Sequence, residues 1–312
     1  MALVLLFLNI ILINFINGLP VSDDDIVIID NIDNSIDDSD VIDLSSLQPN
    51  AFGSPDNESG DALAAWTESS LMNAEETGRY AEGDILIPKY ARNGVRDQSF
   101  RWPKGHIPYV IEGQYSQQQR DTIMKAIADY HRLTCIRFVP YSGQTDYIVI
   151  KSANTGCWSS VGRLGGRQEV NLQSPGCLSK KGTVLHELLH AIGFMHEQSR
   201  PERDDFVKVK YENIKSGSEN NFRKEDTKRS NDFGISYDYN SVMHYSEYAF
   251  SKNSKKTIEP MISGVTLGQR EGLSRSDVKK INNMYNCKKD EPQTGWVGSI
   301  WQSLFGDKSK YN

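Results

Sequence analysis

Apolar positions in the middle of the chain change their spacing several times, and each spacing predicts an element. Ser116 and Gln119 form a capping box, and the apolar residues after them recur at helical spacing to about Arg132. The runs CIRFVPY and DYIVIKS predict short buried strands, and WSSVGRLGGRQEVNLQ predicts a strand with a glycine-rich turn. An apolar helix containing HELLHA follows. With strands first and helices later, the pattern indicates an α+β domain.

The two ends of this domain have weaker patterns. We expect ordered chain to begin around Trp66, and residues 80–113 pass from short polar stretches into strand-like runs. Beyond Arg200 the chain is polar with short helical pieces, until the run from Asp277 to Tyr285 predicts a terminal helix.

The first eighteen residues, MALVLLFLNIILINFING, are almost uncharged, and their apolar core is too short to span a membrane comfortably. We interpret residues 1–18 as a cleaved signal peptide that ends near Gly18. A signal anchor is the alternative, but neither a basic flank nor a stop-transfer pattern supports it. No later segment is long and apolar enough to cross a bilayer. The sequence therefore predicts a secreted, extracellular protein.

Charge divides the chain into two parts. The net charge is −6, but residues 1–92 hold 3 basic and 17 acidic residues, and the remainder holds 32 basic and 24 acidic residues. Residues 21–43 contain nine aspartates and no cation, so we expect the chain to be largely disordered before about residue 60. Opposite charges suggest that one part covers the other or is discarded. A basic surface could bind nucleic acid or an anionic membrane, but a secretory signal argues against nucleic acid.

Two kinds of covalent modification are expected for a secreted protein, disulfide formation and glycosylation. The four cysteines, an even number in an exported chain, predict two disulfides with three possible pairings. None of them lies in a CxxC arrangement, which argues against a thiolate zinc site. Asn57 begins an Asn-Glu-Ser glycosylation sequon in the acidic part.

The stretch HELLHAIGFMHE concentrates three of the six histidines. His186 and His190 are four residues apart, so a helix places them on one face, about 5.4 Å apart along its axis. His196 would point away if the helix continued, because six residues turn it roughly 240° around the axis. Gly193 is where a helix could end on a left-handed glycine. The chain could then turn back and bring His196 to the same metal ion.

Glu187 lies next to the first histidine, so its carboxylate would point beside a metal and not at it. That position suits a general base acting on zinc-bound water, whose pKa the ion lowers to about 7. Three protein ligands leave one coordination position open, as in catalytic zinc sites. The alternative is a helix with histidines on a solvated face, which the placed glycine and third histidine argue against.

Several separated motifs resemble one family of zinc peptidases. HELLHAIGFMHE matches the metzincin signature HExxHxxGxxH, and HEQSRPERD after it is similar to the astacin family in particular. YDYNSVMHY resembles the Met-turn of that family. Further matches are WPKGHIPYVI, CWSSVGRLGGRQEVNL and TLGQREGLSRSDVKKINNMYNC. The resemblance extends from about Asn93 to Cys287.

The resemblance implies a two-lobed catalytic domain over residues 93–287, with an N-terminal twisted sheet, the zinc-binding helix, and an irregular C-terminal lobe that ends in a helix. It implies zinc on the three histidines, Glu187 as the base and Met243 as the Met-turn residue. Tyr245 would be a tyrosine that ligates zinc at rest and swings to stabilise the oxyanion, which is worth a few kcal/mol in a dry site. The implied disulfides are Cys135–Cys287 and Cys157–Cys177, and the second would staple a strand that binds extended substrate.

The resemblance also assigns a role to the acidic part, since proforms of the family block zinc with the aspartate of an FxGD motif. The matching text here is AEGD, so residues 19–92 would be a propeptide with Asp84 as the inhibitory ligand. Ala81 replaces the usual aromatic residue. Cleavage after Arg92 by a trypsin-like protease would make Asn93 the mature start, and its ammonium would turn toward Glu197.

Two features bear on substrates and partners. Lys252 and its neighbouring lysines follow the Met-turn and could favour acidic side chains after the scissile bond, although such lysines often form only a solvated loop. In the tail, residues 288–312, an apolar stripe includes Trp296, Ile300 and Trp301. It could contact a membrane or a partner, but the short segment and its weakly basic surroundings favour packing on the domain or disorder.

The sequence as a whole predicts a secreted zinc endopeptidase that acts on proteins or peptides and is made as an inactive precursor. Another metzincin branch is the alternative among enzymes. A binding or matrix protein with an idle site is the alternative outside enzymes, and it predicts a damaged ligand, base or tyrosine; none of these is damaged.

Overall fold

The computed structural model describes residues 54–87, 100–226 and 231–288, and every statement below is confined to them. The predicted signal peptide, the aspartate-rich run, the cleavage site at Arg92 and residues 289–312 of the tail lie outside the described residues. Within the described ranges, no helix combines the length and the apolar character that a membrane span requires.

The helices and strands follow one another as an α+β fold, which confirms the predicted class. The α-helices are α1 (Asn57–Ala64), α2 (Gln117–Leu133), α3 (Lys181–Ala191) and α4 (Arg275–Met284). The strands are β1 (His106–Ile111), β2 (Arg137–Pro140), β3 (Tyr147–Lys151), β4 (Cys157–Ser159), β5 (Arg167–Leu172), β6 (Val207–Val209) and β7 (Ile258–Pro260). Short 3-10 helices cover Glu75–Thr77, Pro103–Gly105, Gly176–Leu178, Glu197–Ser199, Arg203–Asp205, Tyr211–Asn213 and Glu219–Phe222.

Five strands form one sheet in the order β2-β1-β3-β5-β4. The pairs β1–β2, β1–β3 and β3–β5 are parallel, and β4 pairs antiparallel with β5 at the edge of the sheet. The run predicted as one strand with a glycine-rich turn is therefore a hairpin, with β4 and β5 on either side of that turn. The strands do not all precede the helices, because α2 crosses from β1 to β2 as a parallel connection requires.

Helix α2 shows why these elements form where they do. The Ser116 hydroxyl accepts from the N–H of Gln119, whose side chain accepts in return from the N–H of Ser116. Ile123, Ile127 and Tyr130 lie on its buried face, as the apolar spacing predicted. Helix α3 is different, since Gly182 to Ala191 are all buried, and it therefore runs through the core.

Two main hydrophobic clusters lie among the described residues. The larger packs the sheet against α2, α3 and α4. The smaller surrounds Phe222, Tyr245 and Phe250 beside the β6–β7 ribbon. The chain between α3 and α4 contains, in its described part, only short 3-10 helices and this two-stranded ribbon. That irregularity is the reason why the periodicity beyond Arg200 was weak.

The expectation that order begins around Trp66 is wrong by about ten residues. Helix α1 already begins at Asn57, and the Asp56 side chain caps it by accepting from the N–H of Ser59 at 2.7 Å. The helix has only eight residues and one large buried apolar side chain, Leu63. An apolar pattern this short is hard to distinguish from loop.

Candidate metal centre

Helix α3 fixes the first two histidines of the motif. His186 and His190 are fully buried on adjacent turns, with ring centroids 4.8 Å apart. The Nδ1 atoms lie 2.8 Å from the carbonyl oxygen of Val242 and 2.7 Å from that of Phe194, respectively. Since Nδ1–H donates to a carbonyl in each ring, each Nε2 is left with a free lone pair. Both rings therefore present the tautomer that binds a metal.

The chain reverses after α3 as the spacing predicted. The helix ends at Ala191, and Gly193 has φ +114°, a backbone conformation in which a glycine is favoured. The N–H of Gly193 donates to the carbonyl of His190 at 2.8 Å. The turn brings His196 back, so that its Nε2 lies 3.2 Å from the Nε2 of His186.

Asp84 completes a group of four donors. Its Oδ2 lies 2.9 Å from His186 Nε2 and 3.4 Å from His196 Nε2, and its Oδ1 lies 3.5 Å from His190 Nε2. All four ligand atoms lie within 4.8 Å of one another, and all four residues are buried. Zinc bonds of about 2.0–2.1 Å place the donors of a tetrahedral site about 3.3–3.4 Å apart. The three Asp84 distances and the 3.2 Å between His186 Nε2 and His196 Nε2 are close to the edges of such a tetrahedron.

The electrostatics of the group also favour a cation. Burial would lower the pKa of His196, but the carboxylates of Asp84 and Glu82 raise the pKa to about 10. Burial would raise the pKa of Asp84, but the charges of His196 and His190 hold the pKa well below its ordinary value. Asp84 Oδ1 and His190 Nε2 have no hydrogen-bond partner among the described residues. Buried atoms of this kind need a partner, and a metal ion between them fits the donor set.

Asp84 reaches the histidines from residues 54–87, which we call the amino-terminal segment. This segment extends the sheet at its edge: Ile85 pairs in parallel with Ser159 of β4, and the N–H of Leu86 donates to the Ser159 carbonyl at 2.9 Å. Gly83 has φ +91°, and a Cβ there would lie 2.7 Å from the Phe250 ring. A side chain at that position would be strained, which accounts for the glycine of the Gly-Asp pair in the motif.

Tyr245 and Met243 are two residues apart in the sequence but pack in different hydrophobic clusters. Both are buried, and the Tyr245 hydroxyl donates to the Glu82 carbonyl at 2.6 Å. The phenol is therefore held by the amino-terminal segment. The Glu82 carboxylate also lies 2.6 Å from Nδ1 of His196. Met243 packs in the larger cluster, and its carbonyl accepts from the N–H of Glu197 at 3.1 Å.

Glu187 has no polar partner among the described residues. Its side chain is buried, and neither carboxylate oxygen accepts a hydrogen bond there. Burial, with the Asp84 and Glu75 carboxylates adding to it, raises the pKa of Glu187 well above its ordinary value. A carboxyl group with a raised pKa, next to a candidate metal ligand, is typical of a proton-transfer site.

A second anchor of the amino-terminal segment was not predicted from the sequence. Arg270 Nε donates to Glu75 Oε1 at 2.5 Å, and both side chains are fully buried. Burial would raise the pKa of Glu75, but the Arg270 charge lowers it. Next to it, Glu76 accepts from the N–H and the hydroxyl of Ser246, each at 2.6 Å. The stretch AEET, residues 74–77, contains no local pattern that predicts contacts with residues about 170 to 195 positions away.

The remaining predicted residues lie outside the group of four donors. Glu197 is buried and bonded to Arg200, Lys280 and the N–H of Asp238. Its expected partner Asn93 lies outside the described residues. Lys252 is exposed, and its N–H donates to the Asn213 carbonyl at 2.9 Å.

The sequon and the cysteines also have defined places. Asn57 is exposed at the start of α1, while Ser59 of the same sequon is buried. Cys135 is bonded to Cys287, and Cys157 is bonded to Cys177. These are the pairs implied by the resemblance.

Comparisons with known proteins agree with this geometry. The family model of the Astacin peptidases matches residues 94–286. The chain is 48% identical over 197 residues to zinc metalloproteinase nas-13 of Caenorhabditis elegans, covering 63% of this chain and 43% of that protein. It is 42% identical over 223 residues to nas-4 of the same organism, covering 67% of this chain and 70% of that protein.

A solved structure is similar as well. High choriolytic enzyme 1 of Oryzias latipes, a hatching enzyme zinc-protease, has a TM-score of 0.59 and 41% identity, and covers 63% of this chain and 100% of that chain.

Proposed function

This chain belongs to the astacin family of peptidases, and on that premise we propose that it is the precursor of a zinc-dependent endopeptidase that cleaves proteins or peptides. The observation that carries the proposal is the grouping of three imidazoles and one carboxylate, whose ligand atoms all lie within 4.8 Å of one another, with the unpartnered Glu187 beside them. The chain spans 43% of one relative and 70% of another, and the proposal concerns residues 94–286 in particular.

His186, His190 and His196 would hold the zinc ion through Nε2. Zinc, when bound, supplies Lewis-acid polarisation of water and of the peptide carbonyl. Glu187 would accept a proton at its carboxylate and deliver it to the leaving amine, which its burial and raised pKa suit. Once Asp84 and its negative charge have left, one of the causes that raise the pKa of Glu187 is gone, so the carboxylate ionises more readily.

Tyr245 would stabilise negative charge on the substrate oxygen. Its hydroxyl now donates to the Glu82 carbonyl, so the amino-terminal segment holds it away from that task. Removal of the segment frees the donor. A phenol aimed at developing charge in a water-poor site contributes a few kcal/mol, so it belongs with the catalytic residues.

The amino-terminal segment would keep the precursor inert. Asp84 takes the fourth place among the donors, and the pairing of Ile85 and Leu86 with Ser159 fills the edge of β4 where an extended substrate would add a strand. We propose that residues 19–92 are a propeptide and that a trypsin-like protease cuts near Arg92. A signal peptide over residues 1–18 would direct the precursor out of the cell, with zinc loaded and both disulfides formed.

The position of Arg270 bears on specificity. Its described carboxylate partner is Glu75, so loss of the segment would remove the paired carboxylate of a guanidinium that is buried in the precursor. An acidic substrate side chain would restore the pair. Lys252, the cation proposed from the sequence, is exposed, and a solvent-exposed charge gives weaker discrimination. A peptide library digested by Arg270→Gln and Lys252→Ala variants separates the two.

The non-enzymatic alternative, an idle binding protein, is disfavoured by the same atoms. A protein that only binds does not need an unpartnered carboxyl group at the candidate metal, and burying one costs free energy. Selection for binding alone would remove that cost.

The experiment is casein hydrolysis by the trypsin-nicked protein, with and without phenanthroline. Glu187→Gln should lower kcat by about 100-fold or more while one zinc per chain is retained, because the base is lost and the ligands are not. Glu271→Gln, which changes an exposed glutamate, is the matched control. Hydrolysis that survives Glu187→Gln or phenanthroline would contradict the proposal.

A further inference from the structure

Gln198 joins the turn that carries His196 to the segment that carries Tyr245. It lies in the 3-10 helix Glu197–Ser199 and is fully buried. Its side-chain oxygen Oε1 accepts from the N–H of Tyr245 at 3.1 Å, across 47 residues of sequence. The side chain of Gln198 therefore holds the backbone of the tyrosine from the turn that follows the third histidine.

The orientation of this amide follows from its partner. A backbone N–H can only donate, so the oxygen of the Gln198 amide, and not its nitrogen, must face Tyr245. The nitrogen Nε2 then has no hydrogen-bond partner among the described residues. A buried donor without a partner costs free energy that an apolar side chain would avoid. The presence of glutamine is therefore explained by the oxygen that it offers to Tyr245.

The backbone around Gln198 is itself fixed. Its carbonyl accepts from Arg203 Nη1 at 3.0 Å, and Arg203 is buried. One residue earlier, the N–H of Glu197 donates to the carbonyl of Met243 at 3.1 Å. Two consecutive residues thus bond to two positions of the facing segment, residues 243 and 245. The two contacts restrict both the position and the direction of the chain at Tyr245.

The two ends of Tyr245 depend on different parts of the molecule. Its hydroxyl donates to the carbonyl of Glu82, which belongs to the amino-terminal segment, whereas its N–H donates to Gln198. Its ring packs between those of Phe222 and Phe250, with centroids 5.7 Å and 5.6 Å away. Removal of the segment would therefore release the hydroxyl and leave the backbone bond intact.

We propose that Gln198 is a positioning residue for Tyr245, which keeps the tyrosine backbone in place while the phenol changes partners. The inference rests on the proposed function, since it concerns the residue proposed to stabilise charge on the substrate oxygen. A hydroxyl on a loosely held backbone occupies its productive position for less of the time. Loss of the Gln198 bond therefore lowers kcat and leaves KM nearly unchanged.

The first test is amide hydrogen exchange in the uncut precursor, which requires no catalysis. Gln198→Met has a side chain of similar length without an acceptor oxygen, and the Tyr245 amide should exchange about 10-fold faster or more. Amides of β3 report global stability and should be unchanged. The matched control is Gln168→Met, since Gln168 is also buried and accepts from a backbone N–H, that of Leu164. Equal exchange at Tyr245 in wild type and Gln198→Met would overturn the proposal.

The second test is a double-mutant cycle on the zinc-loaded, cleaved protein. Gln198→Met should lower kcat by about 10-fold in the wild-type background, with KM changed by less than about 2-fold. In the Tyr245→Phe background the same substitution should lower kcat by less than about 2-fold, because the hydroxyl that it positions is already absent. A residue that only supports the fold would produce equal losses in both backgrounds, and that result would overturn the proposal.

A third measurement needs no variant and decides the question if Gln198→Met does not fold. In wild type, the Tyr245 amide should exchange at the same rate, within about 3-fold, before and after removal of the amino-terminal segment, because its acceptor is not in that segment. A rise of 10-fold or more after removal would overturn the proposal. If the cleaved wild-type protein hydrolyses no peptide, the proposed function fails, and the exchange rates still test the role of Gln198.

Discussion

Replacing Glu75 by glutamine should make the uncut precursor active. Glu75 and Arg270 are both fully buried and lie 2.5 Å apart, and Glu75 also accepts from the Thr183 hydroxyl at 3.1 Å. The amide keeps the shape of the side chain but removes its charge. Arg270 then keeps its bonds to the carbonyls of His244 and Gln269 and loses its counter-charge.

The magnitude follows from burial. Removing one partner of a buried ion pair costs about 3–5 kcal/mol, and each 1.36 kcal/mol is a factor of about ten. Glutamine retains a hydrogen bond, so the lower end, about 3 kcal/mol, applies. The lost pair joins the amino-terminal segment to the rest of the molecule. Its loss therefore raises the free energy of the state in which that segment is bound. The fraction of precursor with an open cleft should rise about 100-fold.

The assay uses precursor that cannot be cut, with Arg92→Ala, and a quenched fluorescent peptide. Activity is expressed relative to the nicked wild-type protein, which gives the open fraction directly. Glu68→Gln is the matched control, since Glu68 is exposed in the same segment. Asp84→Asn gives the effect of weakening the contact at the metal.

The reasoning would be refuted by a folded, zinc-loaded Glu75→Gln precursor that leaks no more than Glu68→Gln. That result would mean that Asp84 and the pairing with β4 are enough to keep the segment bound. It would also remove the argument that Arg270 is left without a counter-charge after activation.

Three further predictions concern strain, pH and capping. Gly83→Ala should destabilise the bound state of the amino-terminal segment by about 1–3 kcal/mol, because Gly83 has a positive φ and a Cβ there would contact the Phe250 ring. The same peptide assay measures the resulting activity of the uncut protein. Burial and the Arg137 charge lower the pKa of His131 to about 4, so stability should fall as pH drops from about 6.5 to 4, where the unfolded state binds the extra proton. In urea unfolding, the free energy of unfolding should fall by about 2 kcal/mol less between pH 6.5 and 4 for His131→Gln than for wild type. An equal fall in both proteins would contradict the prediction. Ser116→Ala should lower the free energy of unfolding by about 1 kcal/mol through loss of the α2 cap, whereas no change in urea midpoint would count against the cap.

How much of the site could be predicted depended on distance along the chain. His186, His190, Gly193 and His196 lie within eleven residues, so helical geometry alone was enough to relate them. The position of Asp84 came from a resemblance, because no local rule places a residue 102 positions away.

The contacts that the sequence missed are all long-range pairs of charged residues. Glu75 meets Arg270 across 195 residues, and Lys280 meets Glu197 across 83. Each of these residues, taken alone in the sequence, is typical of an exposed surface charge. Both partners of each pair are buried only in the folded chain. Apolar periodicity predicted α2 and α4 to within two residues but missed the short α1.

The strand edge covered by Ile85 and Leu86 has a consequence for storage of the protein. An uncovered edge strand is a template on which other chains, including further copies of the same molecule, can stack and aggregate. While the amino-terminal segment is in place, the β4 edge near Ser159 is covered by Ile85 and Leu86. Removal of the segment by the proposed cleavage would expose that edge to extended chains, and the solubility and self-digestion of the cut molecule would then depend on how fast it is diluted or supplied with substrate.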